Sequence, residues 1–357
     1  MKHRPDRTRL QRPGHGQLGL TLVELMVALG IGIFITAGLI QLLVATKQSF
    51  RATDEMSRLQ DNGRFAIEYM TREIRQAGSK GACTRTVSSL LDTSDDAYTA
   101  NRFDLATIRG WNGSAGDDPD ADAGKLADHV SGTDVIFVKG AGTRSGLKAQ
   151  TALGATSATT ISLTGSSGAL HDAIVVIVTG NGYACDMFQN ASSDNATNLS
   201  RASGAGEPGN LDPTTNNFSS GYGTDMEILL FHSRQYFIAT NDAGIPSLWE
   251  RRFDKGGYQD IELVERVANM QITYGLDTDS DDFINRYADA ATVEGANQWG
   301  RVVAVKINLL LQSEATNLTE SAMSLPLSDG STFTAPTGDR HLYQMFTSTI
   351  GLRNRLH

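Results

Sequence analysis

Two acidic loops place aspartates at alternating positions, a spacing that can bring carboxylate oxygens together around calcium. In "DTDSDDFINRYA", residues 277 to 288, these aspartates are Asp277, Asp279 and Asp281. An EF-hand needs Gly at position six and Glu at position twelve, where this loop has Asp282 and Ala288. The second loop, "DDPDADAGK" from 117 to 125, alternates Asp118, Asp120 and Asp122. We interpret both as solvated polar loops, with no metal, and keep calcium as the alternative.

The other residue types that could do chemistry form no catalytic motif. The seven histidines show neither H-E-x-x-H nor H-x-x-E-H spacing, and the chain has no Gly-x-Ser-x-Gly or Walker loop. We therefore predict a protein that is not an enzyme. The alternative is a hydrolase of cell-wall or surface polymers, which a cleft with paired carboxylates of perturbed pKa would indicate.

Glu24 lies inside an apolar run of 26 residues from Leu20 to Ala45. As a helix this run would be about 39 Å long, which is enough to cross a bilayer. A carboxylate in hydrocarbon costs roughly 2.5 to 3.5 kcal/mol on insertion scales, and this cost marks Glu24 as a functional candidate. The ordinary alternative is a buried helix of a globular core.

The residues before this run predict its orientation. Residues 1 to 19 carry five basic residues and one acid, so the positive-inside rule keeps them in the cytoplasm and exports the rest of the chain. A secretory signal would have a shorter apolar core and a small-residue cleavage site beyond it, which this sequence lacks. Without residues 1 to 19, 26 basic and 39 acidic residues remain, a net charge of about −13 that argues against nucleic-acid binding.

The basic leader, Gly19 and the following "LTLVELMVALGI" together resemble the type III signal of type IV prepilins and type II secretion pseudopilins. The resemblance implies that prepilin peptidase cuts after Gly19 and methylates the amino group of Leu20, where the family usually has Phe. Glu24 then becomes the fifth mature residue. Its carboxylate can pair with the α-amine of a neighbouring subunit in a bundle of staggered helices, which favours correct registry more than net stability.

The helical pattern continues beyond Ala45 and ends near Gly78. A stripe recurs at spacings of three and four residues, through Met56, Leu59, Gly63, Ala66, Met70, Ile74 and Ala77. We predict a membrane half over residues 20 to 45 and an amphipathic half over 46 to 78. Four residues of the second half are expected to pack in a core, namely Met56, Phe65, Tyr69 and Met70.

Past Gly81 the sequence changes to short β-branched runs between Gly, Asn, Asp and Ser, which predicts strands. The predicted strands cover residues 133–140, 159–165, 173–180, 226–240, 248–253, 270–277 and 301–313. In the last run Val303, Val305, Ile307, Leu309 and Leu311 alternate onto one face, as in a half-buried strand. Residues 259 to 270 fit either a short helix or the start of a strand. The predicted fold is α+β, a long helix packed on an antiparallel sheet.

Several later segments, in this order, resemble PilW-type minor pilins. They are "REIRQAGSKGAC", "GTDVIFVKG", "ELVERVANMQITYGLD", "WGRVVAVKINLLLQS" and "YQMFTSTIGLRNRL". The resemblance implies a pilin-like periplasmic domain over residues 79 to 357, similar to the J-type pseudopilin. Variable insertions are expected near residues 85 to 130 and 186 to 222, which match nothing in the family.

This resemblance implies a noncatalytic subunit in the inner membrane with its C-terminal domain in the periplasm, which enters a pilus at the cell surface. The implied partners are other minor pilins, the major pilin, prepilin peptidase and the inner-membrane assembly platform. A tip adhesin is a further implied partner. Two alternatives stay open: a J-type pseudopilin of a type II secretion system, and a membrane-anchored periplasmic hydrolase or binding domain. Because related pseudopilins bind calcium, the resemblance also keeps that ion as an alternative.

Cys83 and Cys185 are the two cysteines of the chain, and both lie on the side predicted to be exported. The periplasm favours oxidation, so we predict a disulfide between them. Such a bond would tie the exit of the long helix to the strand that ends near Thr179. The alternative is a pair of free cysteines that pack as small hydrophobic residues in separate parts of the core.

Overall fold

The computed structural model describes residues 21–105, 108–113, 124–204, 206–327 and 330–354. The chain divides into two compact units, Met1–Thr53 and Asp54–His357. In the first unit the described residues form the beginning of a long helix. The second unit contains the rest of that helix and all of the strands.

The long helix, α1, covers 54 residues, Leu22–Arg75. Its sequence contains no proline and is rich in Leu, Ala, Ile and Met, and this composition favours an uninterrupted helix. Beyond Arg75 the backbone turns, and Gly78 adopts a φ of +71°, a conformation that glycine reaches without strain. The Gly78 N–H then donates to the Lys139 carbonyl over 2.7 Å. The predicted helix of residues 20 to 78 is therefore confirmed, with slightly narrower bounds.

Sixteen strands and two short helices follow among the described residues. The first part contains β1 Ser88–Ser89, α2 Ala100–Phe103, β2 Arg109–Trp111, β3 Val135–Arg144, β4 Thr160–Ser162, β5 Ile174–Val178, β6 Cys185–Gln189 and β7 Asn198–Ser200. The second part contains β8 Glu227–Thr240, β9 Pro246–Lys255, β10 Gly257–Glu265, β11 Val267–Leu276, β12 Arg286–Ala288, α3 Ala290–Gly295, β13 Val302–Gln312, β14 Ser324–Pro326, β15 Thr332–Thr334 and β16 Tyr343–Gly351. Two 3-10 turns lie at Gly124–Asp128 and Trp299–Arg301.

The strands form two main sheets. An eight-stranded sheet has the order β1-β6-β5-β8-β3-β2, and β9 and β10 extend it from β8. A four-stranded sheet has the order β12-β11-β13-β16. The pairs are antiparallel except for β1 with β6. The fold is therefore α+β with a mostly antiparallel sheet domain, as the sequence predicts.

The segment from 259 to 270 belongs to two strands, β10 and β11, so the helix alternative is wrong. Arg266 separates them with a φ of +64°, and at this residue the chain passes from the eight-stranded sheet to the four-stranded sheet. Within the segment 186 to 222, predicted to be a variable insertion, residues 186 to 189 belong to β6, a fully buried strand.

The largest core cluster joins α1 to both sheets. It contains Leu59, Ala66, Met70 and Ile74 of the helix with Ile136, Val138 and Tyr236 of one sheet and Ile272, Ile307, Leu309 and Ile350 of the other. Met56 is only half-buried, and Glu55 takes the buried position beside it. Phe65 is 51% exposed, so the expectation that it packs in the core is wrong.

Strand β13 was expected to be half-buried, but it is buried on both faces. One face, which includes Val305, Ile307 and Leu309, contacts the cluster around α1. On the other face, Leu310 packs against Ala335 and Tyr343 in a separate cluster that the β14–β15 hairpin completes. The alternation of apolar and polar residues in β13 therefore did not predict its burial, because a second layer covers the face that was expected to be exposed.

Candidate functional site

The first turn of α1 contains a capping box formed by Thr21 and Glu24. The Thr21 N–H donates to Glu24 Oε2 over 3.0 Å, and the Glu24 N–H donates to Thr21 Oγ1 over 3.2 Å. The Thr21 hydroxyl also donates to Glu24 Oε2, over 2.9 Å. Glu24 thus has a role within its own helix, because its carboxylate satisfies a backbone donor at the helix start. Gly19 and Leu20, the predicted processing residues, lie outside the described residues.

The apolar first part of α1 has no protein packed against it among the described residues. Every residue from 21 to 51 is exposed, including large apolar side chains such as Leu22, Phe34 and Leu43, at 75%, 82% and 69%. The hydroxyl of Thr36 donates to the Gly32 carbonyl over 2.7 Å, so this polar group is satisfied within the helix itself. Within the described part of the chain, α1 is the one helix long and apolar enough to cross a membrane.

The second half of α1 is held on the eight-stranded sheet by a buried charged network. The Tyr69 hydroxyl donates to Glu250 Oε2 over 3.0 Å, and Glu73 lies 3.3 Å from the Arg234 guanidinium. Glu250, which is fully buried, also pairs with Arg234 at 3.3 Å and with Arg252 at 2.7 Å. These contacts connect Tyr69 and Glu73 of the helix to charged residues of β8 and β9, and loss of one partner of such a buried pair is strongly destabilising.

Burial shifts the protonation of this network. Burial raises the pKa of the Glu73 carboxyl above its usual value, although the nearby Arg234 acts in the opposite direction. Burial, together with the Glu250 charge, also raises the pKa of the Tyr69 hydroxyl, so this group remains a donor at neutral pH. These residues were not predicted from the sequence. The available signal was "ERR", residues 250 to 252, three consecutive charges inside a predicted strand.

The aspartates of the loop after β11 do come together. One oxygen from each of Asp277, Asp279 and Asp281 can lie within 4.8 Å of the others. However, the Asp277 carboxylate already accepts four backbone N–H groups, from residues 279 to 282. Partial burial alone would raise the pKa of Asp277, but these donors lower it overall.

Asp279 in the same loop accepts the side-chain amide of Asn285 over 3.2 Å. The carboxylates therefore already stabilise the loop itself, so the donor set fits an ion poorly. The second calcium candidate, Asp118, Asp120 and Asp122, lies outside the described residues.

Cys83 and Cys185 form a disulfide with 6.1 Å between their Cα atoms, which is the pairing that the sequence predicts. Cys83 follows the exit of α1, and Cys185 is the first residue of β6. Both residues are buried, at 5% and 2% exposure. The bond closes a loop across 102 residues, so it ties the connection after the helix to the eight-stranded sheet.

Comparisons with known proteins give one match. Residues 235–354 match the family model PilW, described as type IV pilus-assembly protein W. This range begins in β8 and includes β9 to β16, and so it contains Glu250 and the whole four-stranded sheet. No curated protein matches the chain. No solved structure matches it either. The family match supports a type IV pilus-associated protein that is involved in pilus assembly.

Proposed function

We propose that this chain is a minor pilin of a type IV pilus, a noncatalytic subunit that helps to prime assembly and forms part of the tip complex. In this proposal the leader is removed after Gly19, and Leu20 becomes the methylated first residue. Residues 20 to 45 hold the chain in the inner membrane before assembly, and the C-terminal domain faces the periplasm.

The observation that carries the proposal is the contrast between the two parts of α1. Residues 21 to 51 expose an apolar surface on all sides, whereas a stripe from Glu55 to Ile74 is buried. An apolar helix with no protein around it requires a lipid bilayer or a bundle of similar helices. A pilin uses both environments in turn, first the membrane and then the helical core of the filament.

Glu24 is proposed to act in the transfer between these environments. Both hydrogen bonds that its carboxylate accepts within the described residues end on Oε2, so Oε1 remains available to accept a bond from a neighbouring α-amine. A charged amine and a carboxylate that pair in a low-dielectric core leave neither charge alone there, and removal of one partner is strongly unfavourable. Glu24 would therefore select the position at which a subunit enters the bundle.

The partners follow from this role. They are the other minor pilins, the major pilin, prepilin peptidase and the inner-membrane assembly platform, with a tip adhesin as a further candidate. The family match over residues 235–354 supports partners within the pilus machinery.

Purification of the membrane-inserted chain after mild crosslinking, with mass spectrometry of the proteins recovered, tests the proposal. We expect minor and major pilins, and a mature chain that starts at Leu20. Recovery of a secretin-linked pseudopilus instead would support the J-type pseudopilin alternative. Recovery of neither set would support a free-standing membrane-anchored domain. The Gly19→Val variant is the control, because it should keep the leader and accumulate in the membrane.

A further inference from the structure

A groove of about 830 Å³ lies between the end of α1 and β16. Its helix side is formed in part by Ile67 and Thr71, and its strand side by Ser348. The Thr71 hydroxyl is buried and has no hydrogen-bond partner among the described residues. Gly142 of β3 also lines the groove, so it extends to the eight-stranded sheet, but no residue of the charged network around Glu250 lines it.

Three exposed arginines line the groove: Arg72 and Arg75 from α1 and Arg353 from the segment after β16. Within the described residues none of them has an ion pair or hydrogen bond, and Glu68 is the one carboxylate in the lining. Arg72 and Arg75 also lie in the last turn of α1, where their positive charges interact favourably with the negative end of the helix dipole. Arg353 belongs to no helix and has no such role. In a chain with a net charge of −9, this cluster is a local reversal of charge.

The strand beside the groove is an edge. Strand β16 pairs with β13 over nine residues, and the described residues place no strand on its other side. Only its start is covered, because the Tyr343 N–H donates to Met323 Sδ. An edge strand presents a row of free N–H and C=O groups that can pair with another extended chain.

The side chains of β16 show which way an added strand would face. Phe346 and Ile350 contact the core around α1, so Ser348, on the same face, also points to the helix side. The Asn354 side chain donates to the Ala77 carbonyl over 3.2 Å, so the chain remains beside the helix as far as its last turn. Alternate side chains of a strand paired with β16 would therefore point into the groove, toward the arginines.

We propose that this edge binds an extended segment of another polypeptide by β-strand addition, with acidic side chains at alternate positions facing Arg72, Arg75 and Arg353. The main-chain bonds would supply affinity, and the arginines would select acidic side chains. A nucleic acid has the required negative charge but no peptide groups to pair with the edge. The inference goes beyond the proposed role in the pilus, because it names the chemistry of a partner and holds in whatever assembly the chain serves.

The test uses the full chain in detergent and a labelled nine-residue peptide that alternates valine and glutamate. Fluorescence anisotropy measures binding, and hydrogen exchange measures protection of the backbone amides of Tyr343–Gly351. We expect saturable binding, together with protection of alternate amides in β16. The Arg72→Glu, Arg353→Glu double variant should weaken binding at least tenfold.

The matched control is Arg64→Glu, which changes an exposed arginine of the same helix that does not line the groove. This variant should bind within a factor of two of the parent. A peptide with lysine in place of glutamate should bind at least tenfold more weakly. A glutamate peptide N-methylated at alternate residues should lose both binding and protection.

Three results would overturn the inference. The first is no saturable binding of the glutamate peptide at millimolar concentration. The second is binding that leaves the exchange of β16 amides unchanged. The third is an equal effect of the groove variant and Arg64→Glu, since nonspecific charge attraction would then account for the binding. A chain that binds the peptide in this way but never enters a pilus would refute the proposed function alone.

Discussion

The close contact between Gly63 of α1 and Phe346 of β16 gives a sharp test of how the helix packs on the four-stranded sheet. A Cβ atom added at Gly63 would overlap three carbons of the Phe346 ring. A larger residue therefore fits at Gly63 only if the Phe346 ring shifts, although glycine weakens the helix itself.

The two effects of Gly63→Ala on the free energy of unfolding have opposite signs. Alanine in a helix interior is favoured over glycine by about 1 kcal/mol. Overpacking costs about 1 to 3 kcal/mol, because the Phe346 ring must shift to make room for the methyl group. We expect a net loss of stability of up to about 2 kcal/mol.

Urea unfolding of a fragment that starts at Phe50, followed by circular dichroism, measures this loss. Gly295→Ala is the matched control, because a Cβ atom at Gly295, also helical, would contact nothing within 4 Å, so this change should be neutral or slightly stabilising. Adding Phe346→Leu to Gly63→Ala should cost less than the two single changes together, because the smaller side chain leaves room for the methyl group. A gain in stability from Gly63→Ala would refute the packing of α1 on β16.

Three further predictions concern the soluble domain. Burial lowers the pKa of the Lys139 ammonium from 10.5 to about 7. Between pH 7 and pH 10.5 the unfolded chain therefore binds more protons than the folded chain, so the free energy of unfolding should rise by roughly 4 kcal/mol over this range. Urea unfolding at several pH values measures this rise, which should be much smaller in Lys139→Met. A fragment that starts at Phe50 should be monodisperse by size-exclusion chromatography. A fragment that starts at Gly78 should aggregate, because it exposes the sheet surfaces that α1 covers. Equal behaviour of the two fragments would contradict the packing of the helix on the sheets. Calcium should not change the melting temperature of the Phe50 fragment, because the Asp277 carboxylate already accepts four backbone hydrogen bonds. A rise in melting temperature with calcium that Asp279→Asn removes would show that the loop binds the ion.

The long helix was predictable because its signals are local. An apolar run, a stripe with spacings of three and four, and Gly78 all lie within one continuous segment. The seven predicted strands each match a strand of the structure within a few residues, but the remaining strands, including β6 and β16, were not predicted, and neither was the strand order. For example, β13 lies between β11 and β16, and nothing in the sequence of either neighbour specifies that pairing.

The charged network around Glu250 could not be predicted because its members are distant in sequence. Tyr69 and Glu250 are separated by 181 residues, and each has an ordinary surface interpretation when read alone. Phe65 was misplaced for a related reason. Its apolar side chain suggested burial, but the stripe through Gly63, Ala66 and Met70 already fills the face that contacts the sheets.

The most direct test of the central claim is the distribution of the chain between membrane and filament. Pili sheared from cells that produce the wild-type chain, Glu24→Gln or Glu24→Ala are separated from membranes and probed for the chain by quantitative immunoblotting. We predict that the wild-type chain is present in the sheared pili, whereas both variants are processed after Gly19 but remain in the membrane. A wild-type chain found only in the membrane, or a Glu24→Ala variant recovered in pili at the wild-type level, would contradict the account.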